Sequence, residues 1–157
     1  MPDLLVKLYE LDRYREACAA PAGVTVRRGM AHEKSQAVRW VGTHFGAQWA
    51  DETSVCFARQ PVTCFLAVCR GYLEGFACHD ATLRGFFGPI GVAAEARRRG
   101  VGRALAWAAL DGLRAAGYGY AIIGSAGELD FYVRCCGAIE IPGSVPGVYA
   151  PKLSDAT

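Results

Sequence analysis

Eight consecutive residues, Arg97-Arg98-Arg99-Gly100-Val101-Gly102-Arg103-Ala104, have the types and spacing needed to bind an anion. The run Phe86 to Val92 before them is apolar, is interrupted by glycines and reads as a strand. After them Val101, Leu105, Ala109, Leu113 and Ala116 recur at helical spacing, and Gly117 supplies a stop. A strand, a basic glycine-containing turn and a helix, in that order, gather free backbone N–H groups at the positive end of a helix dipole, which suits a phosphate. Gly100 and Gly102 let such a group approach the backbone without meeting a Cβ. The other reading is a solvated basic helix start with glycines that only make a turn. Each exposed cation there opposes the dipole by roughly 0.3–1 kcal/mol, so three in a row favour an anion among them.

Proton-transfer candidates are fewer. Glu74, His79 and Asp80 fall on or just after a predicted strand. An adjacent His–Asp pair can accept protons near neutral pH. Strand neighbours point to opposite faces, so at most one of the pair faces a common acceptor; Asp80 is the nominal general base, just ahead of His79. The seven cysteines, at 18, 56, 64, 69, 78, 135 and 136, form no C-x-x-C pair. Most lie in apolar segments and read as reduced core residues. Adjacent Cys135 and Cys136 would make a strained disulfide at best. No metal site is expected, and no G-x-x-x-x-G-K-[ST] loop suggests a nucleotide triphosphatase.

The elements that must position these groups alternate in type along the chain. Residues 4–9 read as a strand and 13–20 as a turn or two of helix before Pro21 and Gly23. Residues 24–28 alternate as a half-buried strand. A helix is expected over 31–45, marked by Ala37, Val38, Val41 and Phe45. A second is expected over 51–58, with Asp51 and Glu52 in its first turn where the dipole favours acids. Trp40 and Trp49 read first as core residues and second as a wall for an acceptor's apolar part. Residues 62–69 form a nearly unbroken apolar strand, and Arg70-Gly71 turns it into a partner over 72–78. Residues 118–123 give a strand parallel to 86–92, since the helix between them is long enough for a crossover. Pro142, Gly143, Pro146 and Gly147 punctuate a turn-rich end. The plan is α+β.

Composition limits the partners. The formal charge of +2 is too small for the broad basic face that nucleic acid recruits. No apolar run approaches the ~18 residues that span a bilayer, and Met1-Pro2-Asp3 lacks a basic leader. One domain over residues 1–157, cytoplasmic, with no membrane or nucleic-acid partner, is the expectation. An exposed edge on the N-terminal strand would make a homodimer reasonable.

Arg97-Arg98-Arg99-Gly100-Val101-Gly102 resembles motif A, Arg/Gln-x-x-Gly-x-Gly/Ala, of the GCN5-related N-acetyltransferases (GNAT). Leu129 to Ala138, with Phe131-Tyr132 and then Gly137, resembles that family's motif B on a short helix before a last strand over 138–141. The likeness covers about residues 24–141. It implies the GNAT fold, a mixed central β-sheet with splayed parallel strands flanked by helices. It implies acetyl-CoA as co-substrate, with its pyrophosphate on Arg97, Arg98, Arg99, Gly100, Val101, Gly102, Arg103 and Ala104. Backbone groups of Ile90 and Val92 would meet the pantetheine arm and stabilise the developing oxyanion. Tyr132 would give a proton to the leaving sulfur. Ser125 stands where relatives often have an asparagine that contacts CoA, Arg98 where many have glycine, and Ala138 where many have phenylalanine. The activity implied is acetyl-CoA-dependent N-acetylation of a small-molecule or peptide amine. The alternative is a non-catalytic acyl-CoA sensor of the same fold.

Overall fold

Hydrophobic alternation along the central strands sorts the core into two layers. In β3 (Cys64–Cys69) and β4 (Tyr72–His79), Cys64, Leu66, Phe76 and Cys78 face one side, while Ala67 and Ala77 face the other. The first side is covered by α1 (Lys34–Phe45) and α2 (Ala47–Phe57) through Ala37, Val41, Cys56 and Phe57. The second is covered by α3 (Val101–Ala115), whose Val101, Leu105, Ala109, Leu110 and Leu113 are buried, and by Tyr132 and Cys136 of α4 (Leu129–Cys136). In this computed structural model, which describes residues 1–155, the two layers enclose a mixed seven-stranded sheet.

The remaining strands are β1 (Leu4–Lys7), β2 (Val24–Arg28), β5 (Phe86–Val92), β6 (Tyr120–Ile123) and β7 (Ile139–Glu140). Their order is β2-β3-β4-β5-β6-β1-β7, and β5–β6 is the parallel pair. Arg70 and Gly71, at φ 51° and 79°, make the predicted two-residue turn between β3 and β4. Both central residues are left-handed, as in the hairpin turns whose twist matches the strands.

Several elements depart from the sequence reading. The N-terminal strand stops at Lys7 and Leu8–Tyr14 winds as 3₁₀ helix, so the helix expected over 13–20 gives way to this earlier segment followed by turns. Leu8 and Leu11, three residues apart, are both buried, and a three-residue turn aligns them beneath α3. Nor is β1 an exposed edge: it pairs with β6 (Leu4↔Ile123) and β7 (Leu4↔Glu140), so β2 and the two-residue β7 are the free edges. The edge argument for a dimer therefore does not attach to β1. Finally, Gly46 at φ 98° ends α1 and opens α2 in a single residue. The second helix thus begins at Ala47 rather than Asp51, and its first turn holds no acid.

Candidate functional site

The two parallel strands stay together for only two residues. Phe86 pairs with Ile122 and Phe87 with Ile123; beyond them β5 continues to Val92 without β6. A groove of about 990 Å³ occupies that divergence. On its other side β5 remains bonded to β4, with Ala77↔Ile90, Phe76↔Gly91 and Gly75↔Val92 in register and the Ala93 N–H donating to the Glu74 carbonyl (2.8 Å). Hydrogen-bonded and non-bonded pairs alternate in an antiparallel ladder. Gly91 therefore spends its polar groups on β4, and Ile90 and Val92 turn theirs toward the groove. The Val92 carbonyl there accepts Arg97 Nε (3.1 Å).

Beyond β5 the chain reaches α3 through a turn in which Arg98 and Gly100 adopt φ 62° and 91°. Gly100 is the helix N-cap and supplies no side-chain cap. The first bonded amide of α3 is that of Ala104, on the Gly100 carbonyl. Among the described residues the Val101, Gly102 and Arg103 amides find no acceptor in the chain, at the positive end of a fifteen-residue helix. Gly100, Gly102, Arg97, Arg98 and Arg103 all line the groove. Arg98 thus holds a left-handed backbone, a conformation that favours glycine.

The other three members of the predicted set sit differently. Arg99 turns out of the groove and pairs with Glu74 (Nη1–Oε1 3.1 Å). The Val101 and Ala104 side chains are buried in the α3 core, and neither residue lines the groove. Ser125 lines the groove at φ 49°, with its N–H donated to Asp3 Oδ1 (2.8 Å). The Asp3 carboxylate also accepts the Val148 N–H (3.0 Å to Oδ2), fastening the turn and the C-terminal segment to one anchor. That segment brings Tyr149 and Lys152 onto the groove wall.

Tyr132 reaches the groove from α4 and is only 8% exposed. Its ring packs edge-on against Phe87 (5.9 Å between centroids) and Phe131 (5.1 Å). Among the described residues its hydroxyl has no hydrogen-bond partner. Burial, followed by neighbouring Cys136 and Glu128, holds its pKa well above that of an ordinary phenol. Such a group keeps its proton at neutral pH.

His79 and Asp80 do not come to this groove. His79 ends β4 with its ring buried against α3 and Nδ1 on Asp80 Oδ2 (2.8 Å), and both residues line a separate cavity. Although His79 pairs with Phe87, a groove residue, its side chain packs against Gly112 of α3, and neither His79 nor Asp80 lines the groove that holds Tyr132. Glu74, engaged by Arg99, is also outside.

The carboxylates that line the groove are Glu52 and Glu128. Glu52 shares one wall with Phe45, Gln48 and Trp49, and its Oε1 accepts the Thr82 hydroxyl (2.6 Å). Glu52 stands four residues after Gln48 and three after Trp49 on α2, so it neighbours both on the helix surface. A helix beginning at Asp51 would leave Gln48 and Trp49 outside it. Trp49 both lines the groove and packs on Phe45 (5.4 Å), whereas Trp40 stacks on His44 (4.2 Å) outside it. All seven cysteines are unpaired, six of them buried. No metal-holding group of His, Cys, Asp or Glu occurs among the described residues, nor any helix long and apolar enough to cross a membrane.

Residues 30–138 match the family described as the acetyltransferase (GNAT) family. No curated protein matches the chain by sequence. Similar solved structures include a GCN5-related glucosamine N-acetyltransferase region of a fungal multi-domain β-N-acetylglucosaminidase, with TM-score 0.71 and 17% identity over 89% of this chain and 19% of that one. A GCN5-related N-acetyltransferase from Sphaerobacter thermophilus gives 0.65 and 19% over 89% and 48%. One from Kribbella flavida gives 0.63 and 23% over 88% and 53%. This chain spans about half or less of each of them, and the likeness is one of fold.

Proposed function

The chain belongs to the acetyltransferase (GNAT) family, and from that premise we propose that it is an acetyl-CoA-dependent N-acetyltransferase acting on the amine of a small molecule or peptide. Residues 1–157 are taken as one catalytic domain. The observation that carries the reading is the set of three unpartnered amides, Val101 to Arg103, at the start of α3, where Gly102, Arg103, Arg97 and Arg98 line the groove. A pyrophosphate fits this arrangement because it supplies the acceptors those amides lack and the charge the arginines oppose.

Acetyl-CoA supplies an activated thioester acyl group. The chain's own residues bind and orient it and move the protons. The N–H groups of Ile90 and Val92 face the gap between β5 and β6 and can hold the pantetheine arm and a developing oxyanion. Tyr132 Oη keeps a proton for the departing sulfur. Glu52 stands on the aromatic wall formed with Phe45 and Trp49 and receives the proton that the attacking amine must lose. Glu52→Gln should therefore lower kcat about 10²-fold, within the usual range for a lost acid or base, and leave acetyl-CoA affinity unchanged by calorimetry.

The arginines should separate by position. Arg103, on the groove and close over Gly100, should cost about tenfold in acetyl-CoA Kd when changed to alanine, as for a charge-assisted hydrogen bond. Arg99→Ala should change it less than about twofold, since it removes only a half-exposed pair with Glu74. Equal losses from both would mean that the arginines act as a diffuse field.

The deciding experiment titrates the protein with acetyl-CoA, free CoA and ATP, then follows thiol release with a panel of amines. Micromolar acetyl-CoA binding with weak ATP, and thiol release with at least one amine, is the expected result. Tight binding with no turnover on any amine would make the protein an acyl-CoA sensor. No binding at millimolar ligand would overturn the proposal.

A further inference from the structure

A second cavity, of about 530 Å³, opens at the far end of α3, beside Gly112, Ala115 and Ala116. Gly112 lies twelve residues along the helix from Gly100, about 18 Å at the usual rise. The cavity shares no lining residue with the groove.

Four buried side-chain polar atoms lack a partner among the described residues. Three of them, Arg59 Nε, Thr63 Oγ1 and His79 Nε2, belong to residues lining this cavity. Buried polar atoms are ordinarily bonded, so three unpartnered ones on residues that line one space call for a polar partner there. His79 is 2% exposed, and its ring fits because α3 has glycine beside it: a Cβ on Gly112 would lie 2.6 Å from Nε2.

Asp80 settles which imidazole nitrogen carries the proton. Its Oδ1 accepts the Gly85 N–H (2.7 Å) and its Oδ2 meets His79 Nδ1 (2.8 Å). An ionised carboxylate only accepts, so Nδ1 holds the proton. Burial, aided by Arg28 and Arg59, lowers the His79 pKa against the opposing pull of Asp80. Nε2 therefore presents a lone pair at neutral pH. The charged and titratable groups around it are Arg28, Arg59, Arg84, Asp80 and Tyr118. Three guanidiniums against one carboxylate leave the cavity positive. The C-terminal turn of α3 disfavours an anion by about half a charge, less than the guanidiniums supply.

An occupant of this space must bring negative oxygens for the arginines and an O–H for the His79 lone pair. A metal cation fails the first condition and sulfate fails the second. We propose that the cavity is a binding site for an oxyanion that retains an acidic hydroxyl, hydrogen phosphate or a singly ionised phosphomonoester, with ionised oxygens on Arg59 and its neighbours and the hydroxyl donated to His79 Nε2.

The test follows the His79 ring ¹⁵N resonances, assigned with His79→Gln, while inorganic phosphate or sulfate is added at pH 7.5 and constant ionic strength. This resonance reads the second cavity alone, so ions in the groove do not count. Phosphate is expected to move Nε2 and to bind at least tenfold tighter than sulfate, with Arg59→Gln weakening it about tenfold. Methyl phosphate, compared at pH 5.5 and 7.5 across its second ionisation near ~6, separates the two sources. A response concentrated at the lower pH assigns a phosphomonoester, and a response to inorganic phosphate alone assigns the free ion. Sulfate binding as tightly as phosphate, or no movement of Nε2 with either ion at 20-fold excess over the protein and upward into the millimolar range, would overturn the proposal and leave the cavity to water. If Arg59→Gln does not fold, the phosphate–sulfate comparison on the unaltered protein decides.

Discussion

Gly100→Trp should raise the acetyl-CoA Kd at least about 100-fold, a loss of about 2.7 kcal/mol, while the protein still folds cooperatively. Gly100 sits at φ 91°, and a Cβ there meets only Arg103 Nη2 at 3.5 Å. An indole would project into the space in front of the free Val101, Gly102 and Arg103 amides, where the pyrophosphate is proposed to lie. The left-handed backbone would cost about 1–2 kcal/mol with any L side chain. That is tolerable in a domain of ordinary stability, roughly 5–15 kcal/mol. Gly100→Ala serves as the control: it carries the same backbone strain without the bulk, so its thermal midpoint should fall with that of the tryptophan variant while most affinity survives. Equal affinity in the tryptophan variant and the parent, measured by calorimetry on folded protein, would remove the phosphate turn from the mechanism.

Tyr132→Phe should lower kcat about 10²-fold, equivalent to about 2.7 kcal/mol of barrier, with acetyl-CoA affinity within about twofold of the parent. The ring's packing on Phe87 and Phe131 survives the change, and the hydroxyl has no hydrogen bond within the described chain to lose. The thermal midpoint should therefore stay where it is. A tyrosine that served only as packing would give equal rates. The sign of the pKa shift adds a second readout. Because burial raises the Tyr132 pKa, the acid form persists as pH rises. Turnover that depends on this proton should stay level through about pH 9–10, where an ordinary phenol with pKa about 10 begins to lose it.

These variants rest on residues that the sequence identifies, and the reason is local. A turn that exposes helix amides needs only Arg97 to Arg103 and the helix behind it, a signal contained within one strand–turn–helix. The core face of α3, from Val101 through Leu105 and Ala109 to Leu113, is set by the same short-range period. The Arg70-Gly71 turn is set by two backbone angles.

Sequence did not determine which of these side chains share a space. Arg97 and Arg99 are two residues apart, yet one bonds the Val92 carbonyl at the groove and the other turns to Glu74, because β4 lies beside the turn. His79 and Asp80 look like a base for the reaction until β4 pairs with the start of β5 and carries them to the other end of α3. Glu52 reads as a dipole acid until Gly46 starts α2 four residues earlier and turns it, with Gln48 and Trp49, onto the groove. Asp3 gives no local sign that it holds Ser125 and Val148, which lie 122 and 145 residues away. Local periods fix elements because neighbours in the chain are neighbours in space. The site is assembled by strand register and by insertion of β1 between β6 and β7, contacts between distant residues that close only when the whole sheet forms.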